Sequence, residues 1–333
     1  MSELRKDPVV ERWVLVADDA LRSPVIPRSR DRIDGGLLCP FCPGNEHLCP
    51  PDIFANAPNG FVSVHAGWQL RVIPNRSPLL MVEEGHRRSG EGLYDKITGV
   101  GANEVFIETP EHGIRQSQMS PAQLECLIWA YQSRIHDLRK DGRIRSVYIY
   151  KNCGVQAGAT LDHGYSLLVA LPIAPRAVAE EVEGARRHFL IKERCIYCDV
   201  IHQETAAETR LVAESTCFIA IEPFAPRVPF ETWILPRRHA PRFEHIEPAE
   251  VHDLALIFRE VMSRIDAGLC SPDYNYWIHS AAFGNECDPY YHWHMEILPR
   301  IAPPTGLEGG TDLYYNTTLP EDAAEYLRRL VIP

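Results

Sequence analysis

"LDHGYSLLVALPIAP" (Leu161–Pro175) and "YYHWHMEILPRIAP" (Tyr290–Pro303) carry nearly the same phrase. Each sets a histidine, one residue and a second ring before an apolar run, and each closes on Leu-Pro and Ile-Ala-Pro. The first reads His163-Gly164-Tyr165 and the second His292-Trp293-His294. Strand side chains alternate faces with period two, so His163, Tyr165 and Leu167 share one face, as do His292, His294 and Glu296.

The parallel extends upstream in both copies. "CPFC" at Cys39 answers "CIYC" at Cys195. "WQLRVIPNRSP" from Trp68 answers "CFIAIEPFAPR" from Cys217, each an apolar run stopped by proline, as a strand would be. "VFIETPEH" ends at His112 and "TWILPRRH" at His239. "SPAQLECLIWAYQSRIHDL" answers "EPAEVHDLALIFREVMSRI", both with Pro-Ala where a helix would start. Leu124, Leu127, Ile128, Tyr131 and Ile135 keep helical spacing, and so do Val251, Leu254, Ile257, Phe258 and Met262. "SVYIYKNCG" answers "YNYWIHSAAFG". Matches recurring in one order mark an internal duplication. Each copy reads strand, strand, long helix, strand, strand, which predicts an α+β fold of two tandem units, each an antiparallel sheet with a packed helix. The units are placed at residues 1–180 and 181–333. The stretch "IAPRAVAEEVEGARRHFL" between them favours a bridging helix.

Bulk properties agree. The chain has 333 residues, above the roughly 250–300 at which a single core stops growing. Hydrophobic residues are 45% and charged residues 24%, an ordinary globular balance. No apolar run approaches the roughly 18 residues of a membrane span, and "MSELRKDPVVERW" lacks a signal-peptide core, so a cytoplasmic protein without a membrane partner is expected. A net charge of −11 argues against a nucleic-acid-binding surface, though not against a local phosphate pocket. Of ten cysteines, four form the two C-x-x-C pairs, which read as metal knuckles rather than disulfides. Adding the matched histidines gives two Cys2His2 sets: Cys39, Cys42, His112, His163, and Cys195, Cys198, His239, His292. Zinc is the metal such sets suit, with iron an alternative at the second. A closed four-ligand set holds structure and orients its neighbours rather than activating water.

These landmarks resemble the galactose-1-phosphate uridylyltransferase family of the histidine-triad superfamily. The likeness runs from "LRKDPVVERWVLVADD" through "CPFCPGNE", "NEVFIETPEH", "NCGVQAGATLDH" and "YHWHMEILPR" to "GLEGGTDLYYNTTLPEDAAEYLR". It implies two histidine-triad-like halves, a homodimer, zinc, and transfer of a nucleotidyl group between a nucleotide sugar and a sugar 1-phosphate through a nucleotidyl-histidine. It also implies that Asn75 and Arg76 contact the nucleotide, and that Asn152 and Gly158 lie in a loop around the α-phosphate. Asn103 stands where many relatives carry His. The family's first-half motif, His-Pro-His-Ser-Gln, reads here His163-Gly164-Tyr165-Ser166-Leu167. Its nucleophile and its glutamine are both gone, and a neutral Tyr with an ordinary pKa of about 10 is a weak nucleophile.

His294 occupies the nucleophile's place in the second copy, with Glu296 two residues on. A neutral imidazole there could carry the nucleotidyl group. Its other readings are metal ligand, phosphate donor or structural residue. Glu296 would repel a phosphate unless paired or protonated. Arg300, Arg237, Arg238, Arg22, Arg71 and Arg76 are candidate phosphate cations, and the glycine-rich Gly306–Asp312 a candidate loop near sugar or phosphate. The competing functions are a nucleotide hydrolase and a non-catalytic relative that binds a nucleotide or sugar phosphate.

Overall fold

The computed structural model describes residues 3–6, 13–16, 39–57, 60–61, 67–284 and 287–332. The first half comprises β1 (Glu3–Lys6), β2 (Trp13–Val16), β3 (Phe54–Ala57), β4 (Gly60–Phe61), β5 (Leu70–Pro74), β6 (Arg88–Glu91), β7 (Tyr94–Thr98) and β8 (Ala102–Ile107). Helix α1 (Pro121–Leu138), β9 (Ser146–Cys153) and β10 (Tyr165–Leu171) complete it. Helix α2 (Arg176–Lys192) crosses over, so the 180/181 boundary falls inside a continuous helix. The second half runs α3 (Ile196–Ala207), β11 (Leu211–Glu214), β12 (Phe218–Ile221), β13 (Thr232–Pro236), α4 (Pro248–Gly268), β14 (Tyr274–His279) and β15 (His294–Pro299). Helices α5 (Gly306–Thr311) and α6 (Pro320–Arg329) close the chain.

The duplication is written into the sheet. Among the described residues eleven strands form one antiparallel sheet in the order β11-β12-β13-β15-β14-β9-β10-β8-β5-β3-β4. From the β14–β9 seam the order reads β14-β15-β13-β12 one way and β9-β10-β8-β5 the other. Tyr274 lies opposite Cys153, Asn275 opposite Asn152 and Trp277 opposite Tyr150 across that seam. A separate sheet, β2-β1-β7-β6, takes two of its strands from the segment between β5 and β8.

Helices α1 and α4 pack together on one face of the large sheet. Ser120 caps α1: its hydroxyl accepts from the Gln123 amide, and the Gln123 side chain accepts from the Ser120 amide. Pro121 stands at the first helical position, where its missing N–H costs nothing. Leu124, Leu127, Ile128, Tyr131 and Ile135 are all buried, as are Val251, Leu254, Ile257, Phe258 and Met262 on α4. Burying each such side chain contributes about 1.5–3 kcal/mol. The Tyr131 and Tyr276 hydroxyls meet at 2.7 Å inside this core and join the halves. The opposite face carries two smaller cores, one around Cys39, Phe41, Tyr165 and Leu167, the other around Cys195, Tyr197 and Tyr291. The glycine-rich Gly306–Thr311 is a short exposed helix rather than a loop, because Thr305 and Glu308 form a capping box at its start. Among the described residues no helix is long and apolar enough to cross a membrane.

Candidate metal clusters and the adjoining cavity

Both cysteine sets converge. In the first, the ligand atoms of Cys39, Cys42, His112 and His163 lie within 4.8 Å of one another. Cys42 Sγ is 3.3 Å from His112 Nδ1, and 3.7 Å separates each cysteine Sγ from His163 Nδ1. In the second, Cys198 Sγ stands 3.4 Å from His239 Nδ1 and 3.7 Å from His292 Nδ1. Zinc bonded tetrahedrally to sulfur and nitrogen holds those atoms about 3.6 Å apart, so the donor sets fit the ion. The far ring nitrogens are fixed as ligating histidines require: His163 Nε2 faces the Thr109 carbonyl at 2.7 Å, and His292 Nε2 faces the Pro236 carbonyl at 2.8 Å. Burial pushes His163 down to about 4, which keeps it in the neutral, ligating form. Burial and the neighbouring Cys39 push the Cys42 thiol up to about 11.

His163 also walls a cavity of about 670 Å3. The rest of the lining comes from Gly113–Arg115, from the end of β9 and the loop to Gly164, and from Ser271 and Asp273 of the second half. Gly154 (φ +82°) and Gly158 (φ +88°) give this loop a turn that L side chains rarely adopt. A Cβ on Gly154 would lie 1.9 Å from Asp273 Oδ1, and the Gln156 amide donates to Asp273 Oδ2 at 2.6 Å. Asn152 lines the cavity, and its Oδ1 accepts from Asn275 Nδ2 at 2.8 Å. Arg300 Nε donates to Asn275 Oδ1 at 2.5 Å. Asn275, a residue the sequence reading did not single out, also donates to the carbonyl of Ala157, so it brings Asn152, Arg300 and the residue before Gly158 to one neighbourhood. Lys151 enters from the same strand, its ammonium held between Glu108 (2.7 Å) and the Tyr165 carbonyl (2.9 Å).

Tyr165 is 5% exposed. Its hydroxyl accepts from the Thr160 amide at 3.1 Å, and its ring packs edge-on against Phe41. Leu167 fills the same small core. Tyr165, the counterpart of His294 in the repeated phrase, is thus closed off by packing.

His294 and Glu296 are adjacent, as the alternation required, with Nε2 3.3 Å from Oε1. His294 is 0% exposed, lies between the rings of Tyr197, Trp233 and His279, and does not line the cavity. Glu181 from α2 and His279 from β14 complete a third group whose ligand atoms lie within 4.8 Å of one another. His279 Nδ1 is 2.8 Å from Glu181 Oε1. Glu296 also accepts from Trp277 Nε1 at 2.7 Å and from Arg227. Burial opposes ionisation of Glu296, but His294, His279 and Arg227 outweigh it and hold the carboxyl well below its usual range. Burial likewise opposes a charged His294, and Glu296 and Glu181 outweigh it and raise that imidazole. Repulsion of a phosphate by Glu296 is therefore checked by its pairing.

Other expected residues lie apart. Asn75 and Arg76 follow β5 and do not line the cavity. Arg71 is buried against Asp52, Arg237 pairs with Glu214 and Arg238 with Glu250. Asn103 is buried and its side chain donates to the Leu168 carbonyl. Arg22 lies outside the described residues. Glu181, His279 and Asp273 escaped the sequence reading. The one available signal was the alternation Asn275, Trp277, His279 on β14, which places His279 on the face of His294.

The family model for galactose-1-phosphate uridyl transferase, C-terminal domain, matches residues 181–302. An ADP-glucose phosphorylase from Arabidopsis thaliana is 32% identical over 98% of this chain and 93% of its own length. A galactose-1-phosphate uridylyltransferase from Thermotoga maritima is 27% identical over 98% of each chain. Among solved structures, an Arabidopsis thaliana ADP-glucose phosphorylase with bound ADP-glucose superposes with a TM-score of 0.78 at 31% identity over 100% of both chains. A uridylyltransferase superposes with a TM-score of 0.81 at 26% identity, covering 98% of this chain and 97% of that one. With its duplicated sheet, paired cysteine–histidine clusters and end-to-end likeness, this chain belongs to the galactose-1-phosphate uridylyltransferase family.

Proposed function

We propose that this protein moves a nucleotidyl group between a nucleotide sugar and a sugar 1-phosphate or phosphate, with the substrate in the cavity beside His163. The observation that carries this reading is the cavity's construction. A metal-ligating histidine, a glycine loop with left-handed turns and residues of both halves enclose a space large enough for a nucleotide sugar. Relatives of both substrate types named above support the reaction class. The loop amides and Asn152 would orient the transferring phosphate, and hydrogen-bond donors aimed at it would stabilise charge in the transition state. Zinc in both Cys2His2 sets would hold the loop and the strand ends in place, with iron the alternative at the second. The reading includes a homodimer, and a cytoplasmic location, where thiolate ligands stay reduced.

By its place in the repeated phrase His294 is the proposed nucleophile, although it does not line the His163 cavity, so this reading requires the transferring phosphate to reach a ring outside that cavity. Its complete burial beside Glu181, His279 and Glu296 favours a second reading, as a metal ligand or structural residue. Intact mass after incubation with a panel of nucleotide sugars at mildly alkaline pH separates the two. A nucleotidyl increment lost only in His294→Ala assigns the nucleophile to the second half. An increment lost only in Tyr165→Phe returns it to the first. Turnover of a donor without any increment removes the covalent histidine, and no turnover of any donor removes the transferase reading.

A further inference from the structure

The four-stranded sheet leaves a second cleft of about 640 Å3 against the body of the protein. One wall comes from β1, β6 and β7. The other comes from Arg145, just before β9, and from Pro172–Ala174, just after β10. Register fixes which side chains share a face. Leu4 lies opposite Ile97, and Ile97 opposite Arg88. Leu4 and Ile97 are each 3% exposed, so theirs is the covered face. Alternation puts Lys6, Arg88 and Asp95 on that face with them. Lys96 alternates away, and its ammonium pairs with Glu91 at 2.8 Å. The cleft therefore gathers Lys6, Arg88 and, from the far wall, Arg145 against the carboxylate of Asp95.

Two features set this grouping apart. Arg88 and Arg145 are exposed, and among the described residues neither guanidinium has a hydrogen-bond or ion-pair partner. Many other arginines are matched with carboxylates, as in Arg115–Asp266, Arg134–Glu104, Arg210–Glu204 and Arg264–Glu260. Arg76, Arg87 and Arg187 are likewise exposed without such partners among the described residues, so what distinguishes Arg88 and Arg145 is that they line opposite walls of one cleft. Like charges facing each other repel, and a bound anion relieves the repulsion. The second feature is the apolar lining, supplied by Ile97, Pro172, Ile173 and Ala174. A planar guanidinium matches phosphate oxygens in pairs, and an apolar wall favours an organic body over a bare ion.

We propose that this cleft is a second binding site, distinct from the His163 cavity, for a small organic phosphate monoester. Arg145 precedes β9 and Asn152 lies near its end, so the two sites sit at opposite ends of one strand, about 25 Å apart. The test is isothermal titration with glucose 1-phosphate, and separately with inorganic phosphate, of wild type, Arg88→Ala/Arg145→Ala and Arg88→Lys/Arg145→Lys. The alanine variant should lose one bound equivalent per chain, or hold it about tenfold more weakly, as expected when charged hydrogen bonds disappear. Its melting temperature and its turnover of donor should match wild type, the lysine variant should retain the equivalent, and glucose 1-phosphate should bind there more tightly than phosphate. Unchanged stoichiometry and Kd in the alanine variant overturn the site. Equal affinity for the two ligands overturns the organic phosphate as its occupant.

Discussion

At the level of single side chains, His294 and Glu296 illustrate how pairing governs buried charge. Glu296 is held below its ordinary 4.5 and His294 above its ordinary 6.5. A depressed carboxyl contributes stability above its unfolded value and loses it as pH falls through the folded one. A raised imidazole contributes fully below its unfolded value and loses it as pH rises through the folded one. The two contributions overlap between about pH 4.5 and 6.5. The stability gap between wild type and Glu296→Gln, measured by urea denaturation, should be widest in that window and shrink toward both sides. A gap that grows above pH 7 contradicts the pairing. On the proposal that the first cluster holds zinc, Cys42→Ser should lower bound zinc by one equivalent per chain in elemental analysis, because three donors no longer close a tetrahedron. His163, His292 and their cysteines were legible in the sequence because the duplication doubles the signal. The lock on Tyr165 was not, since it depends on Phe41 and the Thr160 amide, which only folding brings near.

At the level of elements, the glycine loop after β9 is the most constrained piece of backbone near the cavity. Gly154→Ala meets both a positive φ and the Asp273 carboxylate, and should destabilise the protein by roughly 1–3 kcal/mol while weakening substrate binding. Adding Asp273→Ala should recover part of the stability, because it removes the steric share but not the backbone strain; thermal melts of the single and double variants measure the two shares. The long helices were readable from their periodicity, since the residues at helical spacing on α1 and α4 are the buried ones. The small sheet was not, because β6 is exposed at every position and carries no alternation to read. The Gly306–Thr311 helix was hidden for a related reason: its cap, not its glycine-rich composition, determines its conformation.

Over the whole molecule, one arginine ties the halves together at the cavity. Arg115 donates to both Asp266 oxygens and to the Pro272 carbonyl, and lies over the Tyr274 ring. Both charged side chains are largely buried, so Arg115→Ala should cost about 3–5 kcal/mol in urea denaturation, mainly by stranding Asp266. That the chain is a repeat could be read from its phrases, but how the copies join could not. Nothing in either phrase states that β9 and β14 are neighbours, because strand pairing between distant segments leaves no local periodicity.

That seam makes the two copies mutually dependent as separate molecules would be. Cutting the polypeptide within α2 would produce fragments that each end in a bare strand edge, β9 on one and β14 on the other. Unpaired edges recruit whatever strand they meet. Expressed alone, each fragment should aggregate; expressed together, they should reassemble into a soluble complex, and the donated Ser271 and Asp273 would complete the cavity in trans.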